Sequence, residues 1–381
     1  MRPRLSALAL CVFVAMTICL TWPLVVHAGS AVEDLYDALL NTWILAWDGH
    51  QLVTDPLRLF DANIFYPYGN TLAFSETILP HALLALPFTL ATGNPVFGYN
   101  VALLMALPLC GFAAYLLVLY LTGSRLAGMA AGVLYAFNAY MLSNIAQVQL
   151  LTLQWLPLAL FYLDRTLRPA RGPQTAAKKA TTAGLLSLFV VLQALSSFYY
   201  AVLSAIAVAL WLLMAVVVRR EAPGRGGVVG VLLALAIASV VVLPFALPYA
   251  QVEHDLGFRR AIEESAPFSA SLAQYAQALP GNLLYGPRLA AEQPVIIGGY
   301  PLDSLFPGFG ALALAGIGLV WGHYRRQPWL FALLLGLVAF VLSLGPTLLL
   351  SPGIRADLPL PMPYRLLYAL PGVPALRAPV R

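Results

Sequence analysis

Residues 99–121 read YNVALLMALPLCGFAAYLLVLYL, a run without Asp, Glu, Lys, Arg or His. About 20 consecutive apolar residues carry an α-helix across the hydrocarbon of a bilayer, so this run is long enough to span and contains no charge that opposes burial in lipid. Runs of the same character recur at about 5–26, 126–144, 147–163, 181–197, 199–218, 227–249, 304–322 and 328–346. Together they predict an all-α polytopic membrane protein with about nine transmembrane helices. The composition of the 381-residue chain agrees, at 61% hydrophobic and 10% charged, where soluble globular chains carry about 25% charged residues. Too few charges remain to cover water-soluble domains, which excludes a soluble enzyme, a disordered chain and a disulfide scaffold. The expected surroundings are the lipid bilayer, and nucleic acid is not an expected partner. Cys11, Cys19 and Cys110 lie in apolar runs, where they read as small hydrophobes, and they imply no disulfide framework.

The positions of Lys and Arg orient these spans. Arg2 and Arg4 precede the first run and place the N-terminus in the cytoplasm. Val26-His27-Ala28 resembles a signal-peptidase site, but the apolar run before it is longer than a signal core, so it reads as an uncleaved first helix. If the apolar segment 78–92, broken by Pro80 and Pro87, does not cross, thirteen of the 21 basic residues fall on the cytoplasmic side with only Asp164 and Glu221. A crossing there would put the dense basic stretch 165–179 outside, against the positive-inside tendency, so 78–92 is expected to lie at the outer interface. The expected organisation is a first transmembrane helix at 1–26, an outer loop with amphipathic helices at 27–98 and transmembrane hairpins at 99–249. A second outer loop at 250–303, a transmembrane hairpin at 304–346 and an outer proline-rich end at 347–381 complete it, and that end leaves room for a chain that continues. Gln147, Gln149 and Gln154 are the main polar side chains at membrane depth and read as interhelical hydrogen-bonding groups.

The first outer loop carries the strongest chemical signal. Residues 33–51 read as a helix, with Leu35, Leu39, Leu40, Trp43, Ile44 and Trp47 at three- and four-residue intervals. At about 100° per residue, Asp34, Asp37, Asn41 and Asp48 share one narrow face and the apolar set lies opposite. The expectation is a helix lying on the membrane or on transmembrane helices, with its polar edge turned away. Two readings of the acids stand side by side: groups that face water or cap the helix start, and carboxylates at the outer surface able to take a proton from an acceptor hydroxyl. The rest of the loop, dense in turn formers and aromatics from Thr54 to Asn70, reads as folded rather than slack.

An N-terminal crossing helix, an acidic outer loop, a returning interfacial helix and a series of tight hairpins resemble the GT-C superfamily of integral-membrane glycosyltransferases. The wording of Asp37-Ala38-Leu39-Leu40-Asn41-Thr42-Trp43, Asn63-Ile64-Phe65-Tyr66-Pro67, Gly93-Asn94-Pro95 and Leu121-Thr122-Gly123-Ser124-Arg125 is most similar to the bacterial branch near the YfhO-type membrane proteins. The resemblance implies a sugar donor linked to a polyprenyl phosphate and an acidic catalytic residue in the first outer loop. That role falls on Asp37, with Asp34 as its nearest partner, although their spacing departs from the adjacent acidic pair of several members. It further implies inverting attack by an acceptor hydroxyl, on a glycan, lipid or protein, with cations stabilising the departing phosphate. Arg377 and Arg381, in an Arg-x-Pro-x-Arg element, are the candidates for that phosphate. Asp303 and Asn41 are further candidate substrate ligands. His50, His81 and His254 are outer-face candidates for proton transfer or metal binding. No residue pattern indicates a metal, and a divalent ion as cofactor stays open. The expected location is the cytoplasmic membrane of a bacterium. Two other functions compete: a lipid or polysaccharide flippase, which would call for a polar path through the bilayer, and a non-catalytic assembly partner with the same architecture.

Overall fold

The computed structural model describes residues 3–168, 175–218, 224–257, 261–290, 296–297, 300–301, 304–322, 326–351, 354–356, 361–370 and 379. Helices dominate. In chain order they are α1 (Pro3–Leu20), α2 (Asp37–Thr54), α3 (Leu79–Thr92), α4 (Pro95–Thr122), α5 (Arg125–Ala136), α6 (Ala139–Ser143), α7 (Trp155–Leu167), α8 (Ala176–Ser196), α9 (Phe198–Val217), α10 (Arg225–Leu256), the single turn α11 (Gly286–Leu289), α12 (Phe309–Trp321), α13 (Arg326–Ser343) and α14 (Tyr364–Tyr368). Among the described residues, strands are confined to two antiparallel hairpins, β1 (Ile296–Ile297) with β2 (Tyr300–Pro301) and β3 (Leu349–Ser351) with β4 (Ile354–Arg355).

Among the described residues, five helical stretches are long and apolar enough to cross a membrane: α4, the stretch Arg125–Ser143 that holds α5 and α6, α8, α9 and α10. Shorter apolar helices occupy Leu5–Leu20, Leu79–Thr92, Phe309–Trp321 and Pro328–Ser343. This is the make-up of a multi-pass helical membrane protein. Three expected runs are built differently from simple spans. Helix α1 ends at Leu20 and a 3₁₀ turn at Leu24–Val26 follows it. The run at 147–163 is helical only from Trp155, because the chain from 144 to 154 is irregular apart from one 3₁₀ turn at Val148–Leu150. Helix α10 runs on to Leu256, and its 32 residues span about 48 Å at 1.5 Å per residue, well beyond the roughly 30 Å of hydrocarbon. The apolar segment 78–92 forms helix α3. It stops at Gly93, whose φ of 65° is the left-handed geometry that glycine adopts without strain. Asn94 then starts α4 by accepting the backbone N–H groups of Val96 and Phe97, with Pro95 at the first helical position.

The chain divides into two compact units: Met1–Phe137 with Asn144–Val208 and Arg220–Asp255, and Asn138–Ser143 with Ala209–Arg219 and Leu256–Arg381. In the first unit α4 is central and packs against α1, α2, α3, α5 and α7. Close approach of α4 and α5 needs the missing side chain at Gly132, where a Cβ would sit 2.6 Å from the Gly111 carbonyl oxygen and 2.4 Å from the Phe13 ring. Phe13, fully buried, fills the notch over both glycines. Small residues let backbones approach in this way where lipid supplies no hydrophobic drive between helices. Helix α10 follows the same logic, burying Ala234 and Ala238 while Val229, Leu232, Leu233 and Val240 stand exposed. In the second unit Ala270, Leu344 and Met362 form a small core with Tyr275, Leu305 and Leu348 against it, and the Tyr275 hydroxyl lies 2.6 Å from Ser343 Oγ.

Candidate functional site

Helix α2 brings Asp37, Asn41 and Asp48 to one edge, as the wheel predicts for these three; the expected helix over 33–51 instead runs from Asp37 to Thr54, so Asp34 lies before it and off that edge, and the edge faces inward. Asn41 and Asp48 are buried, whereas Leu39, Leu40 and Val53 are exposed. The expectation of a polar edge turned away is therefore corrected. At a membrane interface the apolar side of a helix can meet lipid without penalty, and its polar groups gain by pairing inside the bundle, where an unmet one costs several kcal/mol.

Each residue of the edge has its own surroundings. Asp34 precedes the helix, and its Oδ1 accepts the backbone N–H groups of Tyr36 at 2.7 Å and Ala38 at 3.3 Å, so its carboxylate fixes the start of α2. Asp37, the first helical residue, is half-buried. Asn41 donates from Nδ2 to Gln149 Oε1 at 2.9 Å and to the Ala146 carbonyl at 3.4 Å. Those bonds commit it to the irregular segment 144–154, so as a substrate ligand it would first have to leave them. Asp48, 0% exposed, accepts the Thr77 hydroxyl on Oδ2 at 3.2 Å, and its Oδ1 has no partner among the described residues.

A buried polar cluster surrounds Asp48. The Thr77 backbone N–H donates to the Tyr249 hydroxyl at 2.8 Å. The Tyr249 ring packs edge-on against Phe60 and Phe198, and Glu76 accepts the Phe198 N–H at 3.1 Å and the Ser197 hydroxyl at 3.3 Å. Residues from α2, the approach to α3, the junction of α8 with α9, and α10 thus meet in the first unit. Burial pushes the Asp48 carboxyl up to about 7, against the opposing pull of the Thr77 hydroxyl and the Ile78 backbone. Burial also pushes His81, on the first turn of α3, down to about 4, so its ring is neutral at ordinary pH. A carboxyl poised near 7 can hold or release a proton at neutral pH, which is the property that acid–base chemistry uses. Asp48 was visible as a member of the polar edge. Glu76 and Tyr249 carried no sequence signal, because residues this far apart in the chain meet only through the fold.

The irregular segment 144–154 is the other half of the site. Its carbonyls are met by side chains from neighbouring helices: Ala146 by the Tyr99 hydroxyl at 2.8 Å, Leu150 by Tyr200 at 2.8 Å, Leu151 by Cys110 Sγ at 3.0 Å, Thr152 by Gln193 Nε2 at 3.0 Å and Leu153 by Tyr135 at 2.8 Å. Irregular backbone at membrane depth is tolerated only where protein or enclosed water satisfies it. Gln149 makes the expected bond to another helix, through Asn41, whereas Gln147 Oε1 and Gln154 Nε2 have no partner among the described residues.

The loop between α2 and α3 is folded, as expected. Trp47 Nε1 donates to the Leu59 carbonyl, Gln51 Nε2 to that of Arg58, and the Leu72 N–H to that of Phe60. His50 is exposed and lines a groove of about 150 Å³ between α2 and α3 with Leu45, Gly49 and Leu86. His254 is exposed beside Asp255. Among the described residues no three His, Cys, Asp or Glu side chains converge as a metal site. Arg377, Arg381 and Asp303 lie outside the described residues. No family model, curated protein or solved structure matches the chain.

Proposed function

We propose that the chain is a membrane glycosyltransferase of GT-C type, moving a sugar from a polyprenyl-phosphate donor to an acceptor hydroxyl at the outer face of a bacterial cytoplasmic membrane. The observation that carries the reading is the inward-turned acidic edge of α2, which runs from half-buried Asp37 at its first turn to Asp48, whose carboxyl is poised near 7. Pairing inside the bundle accounts for Asn41 and for one oxygen of Asp48, and the second Asp48 oxygen, without a partner among the described residues, is what pairing alone leaves over. In this reading Asp37 takes the acceptor proton, Asp34 holds the helix start that positions it, and the Asp48 cluster anchors the helix below. The departing phosphate falls to Arg377 and Arg381, with Asp303 toward the substrate. The nine crossings proposed are α1, α4, α5 with α6, segment 144–154 with α7, α8, α9, α10, α12 and α13, with the N-terminus in the cytoplasm.

The test is incubation of purified protein in lipid nanodiscs with a panel of radiolabelled polyprenyl-phosphate sugars. Binding of one of them, with release of polyprenyl phosphate or sugar transfer, supports the reading. Binding of none, across mannose, glucose, galactose, N-acetylglucosamine and aminoarabinose donors, contradicts it.

A further inference from the structure

The first unit gathers cations at one end. Helix α4 ends at Thr122, and Arg125 opens α5 directly after it. Tyr120, near that end of α4, donates its hydroxyl to Asp164 Oδ2 at 2.9 Å, which brings the last turn of α7 alongside. Lys178 and Lys179 stand in the first turn of α8, which packs against α7. The first turn of α10, opened by Arg225, lies against the same place, because a Cβ on Gly227 would sit 2.7 Å from the Thr166 carbonyl oxygen. Asp164 is fully buried and already bonded to Arg168 and Tyr120. Among the described residues, exposed Arg125, Arg165, Lys178, Lys179 and Arg225 pair with no carboxylate.

Two features say what kind of anion fits. The Arg165 guanidinium carbon lies 5.3 Å from the Phe161 ring centre and 5.9 Å from that of Tyr162, within cation–π reach of both rings, which holds the side chain in place without using a carboxylate. Large apolar side chains stand exposed directly beside the cations: Leu126 next to Arg125, and Val228 and Val229 one turn from Arg225. A soluble anion would satisfy the cations but make no use of the adjoining apolar side chains. A ligand with an anionic head and hydrocarbon tails satisfies both.

We infer that this end of the first unit is a binding surface for anionic phospholipid, with the phosphate on Arg165 and the Lys178, Lys179 and Arg225 of the helix starts packed against α7, and the acyl chains along Val228 and Val229. The inference is independent of any sugar-transfer chemistry. Arg168 is not part of the test set, since it neutralises buried Asp164.

The full chain in nanodiscs of phosphatidylcholine with a minor share of phosphatidylglycerol would be released gently, and its bound lipid counted by native mass spectrometry. Wild type should carry phosphatidylglycerol well above its bulk share. Each cation near an anionic surface contributes about fivefold in affinity, so Arg165→Gln should lower that enrichment about fivefold and Arg165→Gln/Lys178→Gln/Lys179→Gln should abolish it. Arg165→Lys should keep most of it, and Arg58→Gln, at the distant outer loop, should leave it unchanged. Melting in pure phosphatidylcholine checks that each variant is folded, and the single Arg165 variant carries the test if the triple one is not. Equal enrichment in wild type and Arg165→Gln would overturn the inference. Displacement of the lipid by millimolar inorganic phosphate would also overturn it, by making the surface a site for soluble anions.

Discussion

Asp48 and His81 titrate in opposite senses, which gives a residue-scale prediction with a definite sign. Asp48 keeps its proton up to about 7 in the folded chain but loses it near 3.8 when exposed. Between those values the folded state binds the extra proton, so this residue makes stability fall as pH rises, with the full penalty in place above 7. His81 takes a proton near 6.5 when exposed but only near 4 when folded. From about 4 to 6.5 the unfolded chain binds the extra proton, so His81 makes stability rise with pH. Each slope is about 1.4 kcal/mol per pH unit, and over the shared window they cancel. Together these two groups should leave stability nearly level from pH 4.5 to 6.5 and lower it toward 7, so the comparison that reads them is each variant against wild type. Asp48→Asn should instead gain stability across pH 4.5 to 6.5 and hold level above. His81→Gln should lose stability from 4.5 to 7. Superimposable melting profiles for wild type and Asp48→Asn would refute the burial account of this carboxyl. The wheel could group Asp48 with Asp37 and Asn41 because helical period alone decides which residues share a face. It could not say which neighbour that face meets, since lipid and protein both accept an apolar surface and only the fold supplies polar partners.

At the scale of the element, hydropathy succeeded where a run is apolar throughout and failed where polar side chains serve the backbone. Residues 99–121 are helical throughout within α4, whereas 147–163 is half irregular, because Tyr99, Tyr135, Tyr200 and Gln193 meet the carbonyls of 146–153 in place of helix bonds. Gln147, Gln149 and Gln154 marked that stretch in the sequence, but polarity does not distinguish a bond between helices from one that replaces a helix. The close contact of α4 with α5 is encoded in Gly128 and Gly132, four residues apart, a spacing that hydropathy does not register. It predicts that Gly132→Ala destabilises the protein by about 1–3 kcal/mol, the usual range for overpacking, since the Gly111 carbonyl is backbone and cannot step aside. Gly184→Ala, on an open face of α8, should be neutral or stabilising through helix propensity. Melting of the two variants in the same detergent decides, and a Gly132→Ala variant as stable as Gly184→Ala would contradict the close-packed interface.

For the whole molecule, composition settled the solvent and charge distribution proposed the sidedness. If thirteen of 21 basic residues face the cytoplasm, an impermeant thiol reagent on intact cells should modify a cysteine at Asn70 and spare one at Lys178, with Cys11 and Cys19 replaced by Ser. The reverse pattern would invert the proposed topology. The central claim is that the acidic edge of α2 does chemistry, with Asp37 as the base. The most direct measurement is the sugar-transfer rate of Asp37→Asn beside wild type, once a donor has been found, with donor binding measured on the same preparations. General bases contribute about 10² to 10⁴ in rate, so transfer should fall at least about a hundredfold while the variant inserts and binds donor, and Asp34→Asn should cost less. Transfer by Asp37→Asn within about threefold of wild type would contradict the account and leave the acidic edge of α2 with a structural role.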